Sequence, residues 1–140
     1  MDSQCVALKL GHEEYGVDIL AIKEIIRWTH ITRVPKAPFF IQGVINLRGN
    51  VIPVINSHLR LNLSTTEVTD KSRIIIFNVE DLVVGFIVDE VIEVVSLSKE
   101  MLEKPQMVEG NNKFIKNIGK INDRLIMILD LQKVLDLSAF

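Results

Sequence analysis

A thiol at Cys5 and imidazoles at His12, His30 and His58 are the candidates of this chain for thiol or imidazole chemistry. Nucleophilic catalysis needs a thiol or hydroxyl beside a base, and a metal site needs His, Cys or carboxylate ligands at close, repeated spacing. The histidines stand 18 and 28 positions apart, with no metal-ligand spacing. Cys5 lies in the apolar run Val6-Ala7-Leu8, where a thiol is expected to be buried and inert. The glycines are dispersed, so no loop is built to cradle a phosphate. The expectation is a protein with no catalytic residues, no metal and no cofactor.

Composition narrows the class further. Of 140 residues, 48 % are hydrophobic, and a quarter of the chain is Ile or Val, while aromatics make up 6 %. Enough apolar surface is present for one domain with a core, and the β-branched excess favours sheet over helix bundle. Sixteen basic and 18 acidic residues are scattered to a net charge of −2. No basic stripe forms, so nucleic acid is not an expected partner. One cysteine permits no internal disulfide and fits a reducing compartment. No apolar h-region follows Met1-Asp2, and no apolar run approaches the ~20 residues of a membrane span. A cytoplasmic β-rich domain without membrane insertion is expected.

The elements that would position any site centre on Gly43 to Leu61 (GVINLRGNVIPVINSHLRL). Val44-Ile45-Asn46-Leu47 and Val51 to Ile55 face each other across Arg48-Gly49-Asn50, which reads as a hairpin whose Gly-Asn step supplies positive φ. Neither run alternates cleanly, so both faces are expected to be covered. Pro53 donates no ladder hydrogen bond and should lie at an edge, corner or bulge. Upstream, period-two Val6, Leu8 and Leu10 predict a strand, and Tyr15 to Ile19 a second. The spacing of Ile19, Ile22, Ile25 and Ile26 predicts one or two helical turns over Leu20 to Ile25. Downstream, Ser57 should cap a helix to Leu63, and Asn62 to Lys71 reads as a polar loop. Strands follow at Ile74 to Phe77 and Leu82 to Val88, then a hairpin of Phe114 to Ile121 with Leu125 to Leu131, and a terminal helix over Leu131 to Leu137. Trp28 reads as a partly buried anchor.

The chain also resembles itself. A shift of 69 lays Gly16 on Gly85, Ile22 on Val91, Glu24 on Glu93 and Ile25 on Val94. Shifts of 76 and 74 lay Gly43, Ile45 and Asn46 on Gly119, Ile121 and Asn122, and Ile52, Val54 and Asn56 on Ile126, Ile128 and Asp130. Two similar halves of about 70 residues, each marginal alone, should pack together.

The string from Phe39 to Ile55 (FFIQGVINLRGNVIPVI), with EEYGVDILAIKEII upstream and VVGFIVDEVIEVV downstream, resembles the chemotaxis coupling protein (CheW) family over nearly the whole chain. The resemblance implies an all-β fold with short helices: two interleaved five-stranded SH3-like barrels and a C-terminal helix. The first strand would join the second half and the strand near Ile74 the first. Approximate subdomains would be 15–82 and 1–14 plus 83–140. It further implies a non-catalytic adaptor coupling the cytoplasmic tips of chemoreceptors to the regulatory domain of a histidine kinase, in arrays on the inner face of the membrane. Carried over residue by residue, Ile22, Glu24 and Arg48 face the receptor, with Arg48 paired to Glu24, and Met107 and Val108 face the kinase. The chain departs from the family's V-I-D-L-R string, carrying Asn56-Ser57-His58 after Val54-Ile55. Two other readings stay open: a related adaptor in a motility or pilus-signalling pathway, and a small β-barrel binding peptide or single-stranded nucleic acid.

Overall fold

A computed structural model describes residues 3–65, 67–105 and 112–137. Eleven strands are present among them: β1 (Ser3–Leu10), β2 (Glu13–Asp18), β3 (Ile22–Arg27), β4 (Ile41–Leu47), β5 (Asn50–Asn56), β6 (Arg73–Val79), β7 (Leu82–Val88), β8 (Glu90–Leu97), β9 (Leu102–Glu103), β10 (Ile115–Ile121) and β11 (Arg124–Leu129). Two four-residue helices, α1 (Ser57–Arg60) and α2 (Leu131–Val134), accompany them. The strands form a six-stranded sheet, β8-β1-β2-β11-β10-β9, and a five-stranded sheet, β3-β6-β7-β5-β4. The sixth strand is the two-residue β9, beyond the five expected.

The internal repeat is the architecture. Reading β8-β1-β2-β11-β10 against β3-β6-β7-β5-β4 superimposes the two sheets strand for strand. Glu24 opposite Ile76 answers Glu93 opposite Ala7, and Val54 opposite Gly85 answers Ile128 opposite Gly16. Both glycines are needed for close approach. A Cβ at Gly85 would meet Ile74 and Val54, and one at Gly16 would meet Ile128 and Ile126. The sheets do not divide the chain at the expected 15–82 boundary. Strand β2 stays with β1, and β7 with β6, because tight hairpin turns keep consecutive strands paired.

Three clusters make up the core. Cys5, Ala7, Val95, Leu97, Ile126 and Ile128 fill the six-stranded half, and Ile45, Ile52, Val54, Ile74, Ile76 and Ile87 fill the five-stranded one. The largest cluster lies between them and draws Val6, Leu8 and Leu10 from β1 together with Ile75 and Phe77 from β6. Those two strands are therefore buried on both faces, with alternate residues serving different cores.

Several local expectations change. Leu20 to Ile25 is not helical: one 3-10 turn at Ile19–Ala21 leads directly into β3. Branched Ile side chains pair better on a strand against β6 than in a helix that has nothing to pack on. Helix α1 is capped by Asn56, whose Oδ1 accepts the Leu59 N–H at 3.1 Å, and Ser57 is the first helical residue. Helix α2 ends at Val134, short of Leu137. The β4–β5 hairpin is covered on both faces only at its base, where Val54 and Ile55 enter different clusters, while Val51 near the tip is 70 % exposed. Pro53 lies in a strand flanked on both sides, but β5 pairs with β7 only from Val54 onward, so at Pro53 its one partner is β4. Trp28 is 37 % exposed, as an anchor at the surface would be. No described helix is long and apolar enough to cross a membrane.

Candidate functional site

The site is built on the tip of the β4–β5 hairpin. Arg48 and Gly49 form a two-residue turn with φ of 52° and 87°. Two positive φ values match the twist of the flanking strands, which is why such turns close tight hairpins. Gly49 bears this freely, whereas Arg48 does so against the preference of a residue with a Cβ. The positive φ was expected at Gly49-Asn50; it falls one residue earlier. The Asn46 Oδ1 accepts the Gly49 N–H at 2.9 Å and fixes the turn.

Arg48 projects from this tip to β3, the outer strand at the other end of the sheet order. Its Nη1 donates to Glu24 Oε2 at 2.7 Å and its Nη2 to Oε1 at 2.8 Å. Both oxygens of one carboxylate are thus engaged by one planar fork, the strongest geometry available to this pair. The Arg48 guanidinium holds the Glu24 carboxyl below the usual carboxylate range, chiefly through these hydrogen bonds. Arg48 is held above its own usual value by the same contact. Its side chain is nonetheless 68 % exposed. The pair joins the two ends of the sheet, since β3 and β4 are its outer strands.

Around the pair lies an open hollow lined by Lys23, Leu47, Arg48, Val51, Ile52 and Val83. Leu20 and Ile25, in the turn and strand that carry Glu24, are exposed as well. Of the residues expected at this surface, Glu24 and Arg48 meet. Ile22 is on the same strand but packs, partly buried, against the cluster between the two halves. The register shift between Ile22 and Glu24 lets the first turn to the core while the second reaches Arg48. Met107 and Val108 lie outside the described residues.

A second guanidinium occupies the equivalent place in the other half. Arg124, at the start of β11, donates to Glu14 at 2.5 and 3.2 Å and to Glu93 at 2.6 Å. Hydrogen bonds first to Glu14 and then to Glu93 raise its pKa further. Glu93 is the counterpart of Glu24, and the shift of 76 that lays Asn46 on Asn122 also lays Arg48 on Arg124. That signal was present in the sequence, although the arginine was not singled out from it. Of the candidates for thiol and imidazole chemistry, Cys5 is buried, and burial pushes its thiol above the ordinary value. His12 and His30 are exposed on separate segments, and His58 is buried beside Asp89.

Several known proteins are similar to this chain over most of its length. Residues 4–139 match the CheW-like domain. The chain is 40 % identical to the chemotaxis protein CheW of Bacillus subtilis over 133 residues, covering 94 % of this chain and 85 % of that one. It is 35 % identical to the chemotaxis protein CheW of Helicobacter pylori, covering 94 % and 81 % of the two chains. The crystal structure of the scaffolding protein TtCheW from Thermoanaerobacter tengcongensis superimposes with a TM-score of 0.90 at 34 % identity, over 99 % of this chain and 90 % of that one. With family-wide coverage and a matching fold, the chain belongs to the CheW-like domain family of chemotaxis coupling proteins.

Proposed function

We propose that this chain is a non-catalytic adaptor that joins the cytoplasmic tips of chemoreceptors to the regulatory domain of a histidine kinase, at receptor arrays on the inner face of the membrane. The observation that carries the receptor contact is the Arg48 fork locked on Glu24 beside exposed apolar residues at one hairpin tip. An adaptor needs a contact area that stays soluble when free and keeps its shape when bound. Val51 and Ile25 supply apolar surface, and the charged fork at its edge limits self-association and orients the partner. Ile22 supports the patch from beneath by anchoring β3 to the core. Met107 and Val108 are assigned to the kinase contact.

The direct test is reconstitution with a receptor fragment and the kinase, reading kinase activity with and without this protein. Arg48→Gly is the informative variant, because glycine suits the positive φ of the turn while the guanidinium is lost. Receptor-fragment binding should weaken at least about tenfold, the range for losing a charged hydrogen-bonding group at an interface. Kinase binding should be unchanged. Undiminished receptor binding by a folded Arg48→Gly protein would remove this tip from the receptor surface.

A further inference from the structure

The two halves satisfy their arginines unequally. Arg124 uses all three guanidinium nitrogens: Nε and Nη2 donate to Glu14, and Nη1 donates to Glu93. Arg48, its counterpart, uses two, with Nη1 and Nη2 both donating to Glu24, the counterpart of Glu93. Among the described residues nothing accepts from the Arg48 Nε–H. A guanidinium carries five N–H donors, and its Nε–H runs alongside one on the neighbouring Nη, so that edge can hold a second carboxylate in two places. In Arg124 the edge is filled and the side chain is 31 % exposed; in Arg48 it is open and the side chain is 68 % exposed.

The sheet registers explain the difference. Ile128 stands opposite Gly16 and Val54 opposite Gly85, and the shift of 69 that pairs these glycines lays Glu14 on Val83. Where the six-stranded half carries the acid that fills the edge, the five-stranded half carries an isopropyl group that accepts no hydrogen bond. Val83 packs, partly buried, against the cluster of its own half and lines the hollow beside Arg48. The charged residues lining that hollow are Lys23 and Arg48, and one carboxylate, Glu24, is bound to them, so a positive charge is left over. Leu47, Val51 and Ile52 complete apolar walls. We infer that the open edge of Arg48 is a binding site for one carboxylate of the partner, an Asp or Glu flanked by aliphatic side chains, which takes the place that Glu14 fills internally in the other half. This rests on the reading of the hairpin tip as the receptor contact and adds the chemistry that the receptor tip must bring. The incoming acid completes a two-carboxylate clamp, its aliphatic neighbours cover the apolar walls, and Lys23 offsets the second negative charge. Because Glu24 already fixes the guanidinium, the edge selects an acid by its position as well as its charge.

Binding of a receptor-tip fragment to the full chain tests this, with each Asp and Glu of the fragment changed singly to Asn or Gln. One such change should weaken binding at least about tenfold, the range for truncating one partner of a charge pair at an interface. The same change should cost little against Arg48→Gly, which has no edge to offer. On this chain, Val83→Glu supplies the second carboxylate internally and should weaken binding of the unchanged fragment by a similar factor, whereas the uncharged Val83→Gln should bind as the natural chain does. Circular dichroism checks that both are folded, and if Val83→Glu is not, the fragment series decides. A fragment weakened by Arg48→Gly but by none of its own acid changes would leave the receptor contact standing and overturn this inference. Equal binding by folded Val83→Glu and Val83→Gln would overturn it too, as would a loss of kinase binding in place of receptor binding in Val83→Glu. A fragment that does not bind the natural chain would remove the receptor reading and this inference together.

Discussion

At the scale of single residues, charge and backbone conformation meet at Arg48. Its guanidinium lowers the Glu24 carboxyl, so the sign of the linkage is that of a depressed acid. The pair's contribution is present above the ordinary carboxylate range and is lost as pH falls through the lowered folded value. Replacing Arg48 by Gly should therefore return the Glu24 titration to the ordinary range, read from the side-chain carboxyl carbon by nuclear magnetic resonance. Little change in melting temperature is expected, because exposed pairs contribute little to stability. Gly43 behaves in the opposite way. With φ of 155°, any Cβ there would be driven into the Thr32 carbonyl, which is hydrogen-bonded to Val44. Gly43→Ala should cost at least about 2 kcal/mol in urea unfolding, since backbone and not a flexible side chain must move. Nothing at this scale could be settled from residue types alone: Arg48 and Glu24 were paired by family resemblance, and the distance that makes the pair arises from sheet closure.

At the scale of elements, the two short helices are tied together by one buried cation. Arg60, on α1, donates to the carbonyls of Val134, Lys133 and Asp136 at the end of α2, at 2.9, 2.7 and 3.1 Å. Its guanidinium stacks 4.2 Å from the Phe40 ring centroid and 4.9 Å from that of Phe114. Phe40 and Phe114 are themselves counterparts: each offers its carbonyl to a capping residue, Asn56 or Asp130. A four-residue helix cannot persist by propensity, so caps and tertiary contacts must hold it. Burial lowers the Arg60 pKa, but the side chain stays charged and its donors face the orphan carbonyls of α2. Arg60→Ala should lose about 2–4 kcal/mol by urea unfolding, and Arg60→Lys should recover only part, since an ammonium cannot span three carbonyls and two rings. The departure from the family string is also resolved here, with Asn56 taking the cap and His58 pairing with Asp89.

For the whole molecule, the sheets are formed unequally along the chain. Residues 22–88 contain every strand of the five-stranded sheet, whereas the six-stranded sheet is assembled from both sides of that segment. Yet the central cluster takes Val6, Leu8, Leu10, Tyr15 and Val17 from before that segment, and Phe114, Leu129, Val134 and Leu135 from after it. A fragment of residues 19–88 would therefore expose the inner faces of β6 and β7, including Ile75, Phe77 and Phe86. It should be unfolded or self-associated, measured by circular dichroism and sedimentation. At about 70 residues its own small core is insufficient. A monomeric fragment with a cooperative melt would show that the halves fold independently.

By itself the sequence determined the pattern that repeats: β-branched runs, the Gly-x-Ile-Asn hairpins, the spacing of Glu24 with Glu93 and the family string at Phe39 to Ile55. Those features are local, and strand propensity and turn chemistry act over a few residues. Tertiary structure alone decided that Ile22 faces the core while Glu24 faces Arg48, that the Ile19 to Ile26 spacing becomes a turn and an edge strand, and that Arg60 and His58 are buried yet satisfied. Each of these depends on partners 24 to 76 residues distant in the chain. Periodicity within one segment carries no information about which segment will lie beside it.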